Sequence, residues 1–171
     1  MSKPQYSRVH KFLHWLSAAV IIWALTSGFY VSLFNVSATL KEWVSFINIS
    51  LTTVYLPFFI ARLYATQAYY RQMKGLHRKF ADYLASSIHM LIHFTTATVM
   101  LTGFLMMDQA INVFGLFQVP HPLKDRVLIT QFFTLHIWAC GLLALLVLLH
   151  IAAVIKHEMC GKPVLERMRF R

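Results

Sequence analysis

The residues best suited to chemistry in this sequence are its nine histidines. Imidazole ligates metals and haem iron, and it takes up or releases a proton near neutral pH. An ionisable side chain at membrane depth is costly and usually functional, although a single one can simply bond a neighbouring helix. The histidines that fall inside long apolar stretches are His14, His89, His93, His136 and His150. The others border these stretches, as His10 and His157 do, or lie in connections, as His77 and His121 do.

Fourteen residues separate His136 from His150. At about 100° and ~1.5 Å per helical residue, the two imidazoles lie within ~40° of one face and roughly 21 Å apart. Two b-type haems stacked in a helical bundle require this arrangement, because each iron takes an imidazole from two facing helices. Zinc is a weaker interpretation, since it needs three or four ligands packed close together.

Four apolar runs can position these histidines inside a membrane. Crossing the hydrocarbon takes roughly 20 helical residues, and the runs cover about 12–34, 43–65, 84–107 and 128–155. All four must be helices, because lipid offers no partners to unpaired backbone groups. The sequence therefore predicts an all-α integral membrane four-helix bundle that forms one domain over residues 1–171. We expect the apolar external stretch 111–122 to lie on the membrane surface or over the bundle.

The basic residues are distributed unevenly along the chain. All but three of the 16 lie in the N-terminal segment, at the second connection or in the C-terminal segment, the exceptions being Lys41, Lys124 and Arg126. The positive-inside rule therefore predicts that both termini and the central connection are cytoplasmic. Attraction to anionic lipid headgroups is sufficient to explain the net charge of +10. The lipid bilayer is thus the expected partner, and nucleic acid is not.

This topology brings His14, at the start of the first span, level with His150 near the end of the fourth. The two imidazoles can hold one haem between the first and fourth helices. His89 and His93 are four residues apart and share a face of the third helix near its cytoplasmic end. They can bond neighbouring helices, or they can form a quinone site in which an imidazole moves the proton that accompanies an electron.

Motifs along most of the chain resemble the bacterial cytochrome b561 family of four-helix, usually dihaem, quinone-linked membrane cytochromes. The matching features are Tyr6-Ser-Arg8 before His14-Trp15, Arg62, His89 with Gly103, the stretch Phe114-Gly-Leu-Phe-Gln-Val-Pro120, and His136, His150 and His157. The resemblance implies haem b as cofactor, ubiquinone or menaquinone as substrate, a quinone or redox protein as partner, and a bacterial inner membrane location. It also implies the ligand pair His14 and His150.

The resemblance further implies a second haem, held by His136 and a histidine of the second helix. Asn48 stands at the expected position of that histidine, and the second span contains no histidine. An amide is a poor substitute for imidazole on haem iron. Three outcomes are open for the external haem. It can be absent, it can be bound five-coordinate through His136, or a residue such as Met106 or Met107 can serve as the other ligand. We expect its loss or weakening.

For the quinone or haem propionate site, the resemblance favours His89 and His157, with Arg8 and Trp15 nearby. The first hypothesis is therefore a haem b electron-transfer protein that exchanges electrons with the quinone pool. Some family members oxidise external superoxide and reduce ubiquinone, which requires a relay across the membrane, and Asn48 counts against that activity here. The alternatives are a cytochrome b subunit of a partner oxidoreductase, a non-redox binding or sensing protein, and a metal transporter.

Overall fold

Four long helices make up most of the computed structural model, which describes residues 5–73, 80–161 and 163–169. They are α1 (Arg8–Leu33), α2 (Ala38–Gln72), α3 (Phe80–Leu105) and α4 (Arg126–Met159). Each contains a stretch long and apolar enough to cross a membrane. The predicted four-helix membrane fold is confirmed. His77 lies outside the described residues.

All four helices begin before the predicted apolar runs, and α2 also continues past the predicted end of its span to Gln72. Apolar composition marks only the part of a helix that lies in hydrocarbon, whereas backbone hydrogen bonding continues into the polar headgroup region. The helix starts carry side-chain caps that satisfy a free backbone N–H group. Ser7 caps α1, Ser37 caps α2 and Asp125 caps α4.

The helices pack as two antiparallel pairs, α1 with α2 and α3 with α4, and backbone approaches between the pairs are fewer among the described residues. Apolar side chains join the pairs instead. Ile21 of α1 packs with Ile92 of α3 and with Leu143 and Leu146 of α4. The consequence is a bundle whose α1 and α4 backbones are bridged by side chains rather than packed directly.

Three polar residues of α2, spaced seven apart, face α1: Asn48, Tyr55 and Arg62. Seven residues are roughly two helical turns, so the three side chains share one face. The Tyr55 hydroxyl donates to the buried Ser17 hydroxyl at 2.6 Å, and the Asn48 amide donates to Ser27 at 3.0 Å. A guanidinium nitrogen of Arg62 lies 3.4 Å from Nδ1 of His14. These contacts set the register of α2 against α1.

A β-hairpin between α3 and α4 was not predicted from the sequence. Strand β1 (Ile111–Val113) pairs antiparallel with β2 (Phe117–Val119). Phe114 and Gly115 have φ of 48° and 73°, the positive values that the central residues of a type I′ turn adopt, and the Leu116 N–H donates to the Val113 carbonyl at 2.9 Å. The hairpin lies against α2, where the buried Ser50 hydroxyl donates to the Asn112 carbonyl and accepts from the Phe114 N–H.

Replacing Ser50 with alanine should loosen the hairpin. The change leaves the backbone N–H of Phe114 and the carbonyl of Asn112 without this partner, at a cost of about 1–3 kcal/mol. Unfolding in sodium dodecyl sulfate, followed by tryptophan fluorescence, measures the loss. Ser45→Ala, at an exposed position on the same helix, is the matched control. Equal stability of the two variants would show that Ser50 does not anchor the hairpin.

Candidate functional site

Histidines from three helices gather around Arg62 at the end of the bundle where α1 begins and α4 ends, called here the terminal end. The rings of His89 on α3 and His150 on α4 have centroids 5.1 Å apart and planes inclined at 61°. His14 on α1 contacts Arg62 and lies within electrostatic range of both rings. The structure therefore brings together His14, His150 and His89, which the sequence had assigned to ligand and quinone roles.

Arg62 is half-buried in this cluster. In the described part of the chain its partners are His14 and the Tyr55 hydroxyl, and neither is an acid. A guanidinium held at membrane depth without a carboxylate is costly. It forms strong charge-assisted bonds with carboxylates, so its position suits an anionic group such as a haem propionate. The sequence identified Arg62 only as a family motif and did not predict its contact with His14.

Two further histidines border the cluster. His10 is buried, with its ring 4.7 Å from that of Tyr6 and 6.0 Å from that of Tyr69. His93 lies one turn deeper on α3 than His89, and its ring is 6.4 Å from that of Phe59. The position of His10 among aromatic rings indicates a packing role at the border of the span.

The remaining candidate quinone residues lie at the surface of the terminal end. Arg8 and His157 are exposed, and His157 follows His150 by seven residues on the same face of α4. The Trp15 indole N–H donates to the carbonyl of Met168 at 3.1 Å. Of the four residues that the resemblance favoured, His89 is the one that belongs to the histidine cluster.

His136 occupies the opposite, hairpin end of the bundle. Its Nδ1 atom lies 3.1 Å from the Val99 carbonyl and 3.1 Å from the Thr102 hydroxyl, both on α3. A carbonyl can only accept, so we assign the ring proton to Nδ1, which leaves Nε2 as an acceptor. Cys140 Sγ lies 3.4 Å from Nε2. His136 therefore has hydrogen-bond partners on both nitrogens.

Asn48 faces α1 at this end. Its amide nitrogen and oxygen lie 3.0 and 3.1 Å from the Ser27 hydroxyl. Among the residues that the structure describes, no hydrogen bond joins Asn48 to His136. Asn48, which the family resemblance pairs with His136, thus takes part instead in a contact between α1 and α2. The sequence showed the missing imidazole but not the Ser27 partner.

The close approach of the His136 ring explains why a glycine stands at position 103. A Cβ atom added at Gly103 would lie 3.1 Å from the ring carbon Cε1 of His136. That distance is tighter than ordinary van der Waals contact, so glycine lets the imidazole approach the α3 backbone. The sequence singled out Gly103 by its spacing from His89, yet its structural partner is on α4.

Taken together, the fold and the terminal-end site define a membrane-spanning helical bundle with imidazoles on facing helices and a cation, Arg62, that meets no carboxylate among the described residues. Residues 5–171 match the family described as prokaryotic cytochrome b561, and the chain belongs to that family. Comparison with curated proteins found no match. The protein is a multi-pass bacterial membrane protein with a b-type haem electron-transfer role.

The residues at the two ends fit haem b differently. Bound haem b supplies an iron centre that takes up and releases one electron. At the terminal end, imidazoles on α1 and α4 and the cation of Arg62 fit an iron ligand pair and a propionate. At the hairpin end, His136 offers one imidazole, and Asn48 is bonded to Ser27.

Gly103→Ala should destabilise the contact between α3 and α4. Overpacking costs about 1–3 kcal/mol, partly offset by the ~1 kcal/mol that alanine gains over glycine within a helix. Gly141→Ala on α4 is the control, because an added Cβ there meets nothing within 4 Å. Melting temperatures in detergent should fall for Gly103→Ala and stay level or rise for Gly141→Ala. A Gly103→Ala protein as stable as the control would refute the close contact with His136.

Proposed function

We propose that this protein carries a single haem b at the terminal end, with His14 and His150 as axial ligands, and exchanges electrons with the quinone pool. The observation that carries the proposal is the asymmetry between the two ends. At one end Arg62 contacts His14, while His89 and His150 are in ring contact with each other and lie within electrostatic range of Arg62. At the other end the amide of Asn48 is bonded to Ser27.

The proposed ligands lie on helices from different pairs, α1 and α4. Because side chains rather than direct backbone packing join these helices, a planar group can lie between them with less disturbance than within either pair. His89 then lies beside the proposed ligand His150, where a neighbouring ring can fix the orientation of the ligand. Arg62, beside His14, is placed to neutralise a propionate.

We further propose that the terminal end faces the cytoplasm of a bacterial cell and that the protein lies in the inner membrane. The N-terminal segment, the connection between α2 and α3, and the C-terminal segment carry nearly all the basic residues. Basic segments are retained on the cytoplasmic side during insertion. The haem and the quinone would then lie in the cytoplasmic half of the membrane.

His89 is the proposed proton-handling residue of the quinone reaction. Each of the two electrons that convert quinone to quinol is accompanied by one proton, and an imidazole beside the site can deliver it. His157, exposed at the terminal end, can pass protons between water and His89. Arg8, also exposed there, stays protonated and can instead pair with a haem propionate. Trp15 would contribute as part of the wall around His14. The same residues suit ubiquinone or menaquinone.

The superoxide oxidase activity of some cytochrome b561 proteins needs electron transfer from the external side to the quinone. Among the described residues of the spans, the hairpin end offers one histidine, His136, and both of its nitrogens have partners. We therefore propose quinone-linked electron transfer confined to the terminal end, either as a free-standing protein or as the cytochrome b subunit of an oxidoreductase.

A pyridine haemochrome assay on the purified protein tests the haem number. We expect one haem per chain, absent from His14→Ala and His150→Ala because each variant loses an axial ligand, and retained by His136→Ala. Circular dichroism checks that all three variants keep their helices. Two haems per chain, or loss of all haem in His136→Ala, would contradict the single-haem proposal.

Reoxidation of the dithionite-reduced protein by a soluble ubiquinone analogue tests the role of His89. A general acid typically contributes at least ~100-fold, so His89→Gln should slow reoxidation by at least that factor while keeping the wild-type haem content. His121→Gln, in the connection at the hairpin end, should react like the wild type. Equal rates in the two variants would exclude His89 as the proton donor.

A further inference from the structure

The segment that follows α4 turns back toward α1. Gly161, with φ of 70°, follows the last turn of α4. A short 3₁₀ helix, Leu165–Met168, comes next. Residues 163–169 are called here the strap. Because Gly161 adopts a left-handed backbone conformation, the chain leaves the α4 axis at this point.

Three hydrogen bonds hold the strap, one to α4 and two to α1. The Glu158 carboxylate accepts from the backbone N–H of Leu165 at 2.7 Å. On the other side, the Lys11 ammonium donates to the carbonyl of Arg169 at 2.8 Å. The Trp15 indole N–H donates to the carbonyl of Met168 at 3.1 Å. The strap thus links the ends of two helices that belong to different pairs.

The strap reaches α1 beside the proposed haem ligand. Trp15 follows His14 directly, and their rings meet edge to face with centroids 5.6 Å apart. On α4, the exposed His157 lies between His150 and the start of the strap and shares a face with His150. The proposed ligands His14 and His150 face the space between α1 and α4. The strap therefore crosses this space at its terminal end.

We propose that the strap is a latch on the haem site, an inference that rests on the proposed ligand pair of α1 and α4. With the strap bound to Lys11 and Trp15, the terminal ends of α1 and α4 are held together around His14 and His150. Release of the strap removes two of the contacts that hold the first two turns of α1 and loosens this end, so bound haem leaves faster.

Lysine and tryptophan at a helix end also anchor proteins to lipid headgroups. That role predicts a different outcome, because a headgroup anchor does not depend on the presence of residues 163–169. In the structure both side chains donate to strap carbonyls. This geometry favours the latch, and removal of the strap distinguishes the two roles.

The test compares the wild type with a chain that ends at Gly161, with Trp15→Phe, and with the control Trp43→Phe. Trp43 is exposed near the start of α2, at the hairpin end. Each protein, loaded with haem, is mixed with excess apomyoglobin, and the transfer of haem is followed by absorbance. We expect transfer about tenfold faster from the shortened chain and about fivefold faster from Trp15→Phe, which loses one hydrogen bond. Trp43→Phe should match the wild type.

Hydrogen exchange in residues 8–16 supplies a readout that does not depend on haem. Exchange there should be faster in the shortened chain than in the wild type, in the presence or absence of haem. Unchanged exchange or unchanged haem transfer would overturn the latch. A wild-type protein that binds no haem would contradict the proposed function alone, and the exchange measurement would still decide whether the strap holds α1.

Discussion

The polar contact between α1 and α2 is the constraint on which the rest of the structure depends. In a membrane, lipid is as apolar as the helices, so hydrogen bonds and close packing rather than burial from water decide how helices pair. The bond from Tyr55 to Ser17 lies in the middle of this interface, and the contacts of Asn48 and Arg62 lie on either side of it. With the register set there, the start of α1 and the end of α2 must meet, which places His14 against Arg62.

The same contact gives the two ends of the bundle different chemistry. At the terminal end this contact brings the Arg62 cation against the imidazole of His14, and α3 and α4 add His89 and His150. At the hairpin end it engages the amide of Asn48 with Ser27. His136 is held from α3 by the Val99 carbonyl and the Thr102 hydroxyl. These helix contacts add to the asymmetry that the sequence already shows, with most span histidines at the terminal end and Asn48 in place of a second-helix histidine at the other end.

The connections reinforce this asymmetry. The β-hairpin lies against α2 at the hairpin end, and the buried hydroxyl of Ser50 anchors its backbone there. The terminal end is crossed instead by the C-terminal strap, held by three hydrogen bonds from α1 and α4. A few local bonds release a short strap more readily than a buried anchor releases a hairpin.

The sequence by itself determined the four membrane helices, because hydrocarbon admits only apolar side chains and internally bonded backbone. It also determined that His14 and His150 share one end, since helix length and alternating direction follow from the spans. It could not reveal that Asn48 bonds Ser27, that Gly103 packs on His136, or that Trp15 holds the strap. Those partners lie on other helices or segments, and helix rotation and packing decide them. Tertiary structure therefore decided which partners these side chains meet at each end of the bundle.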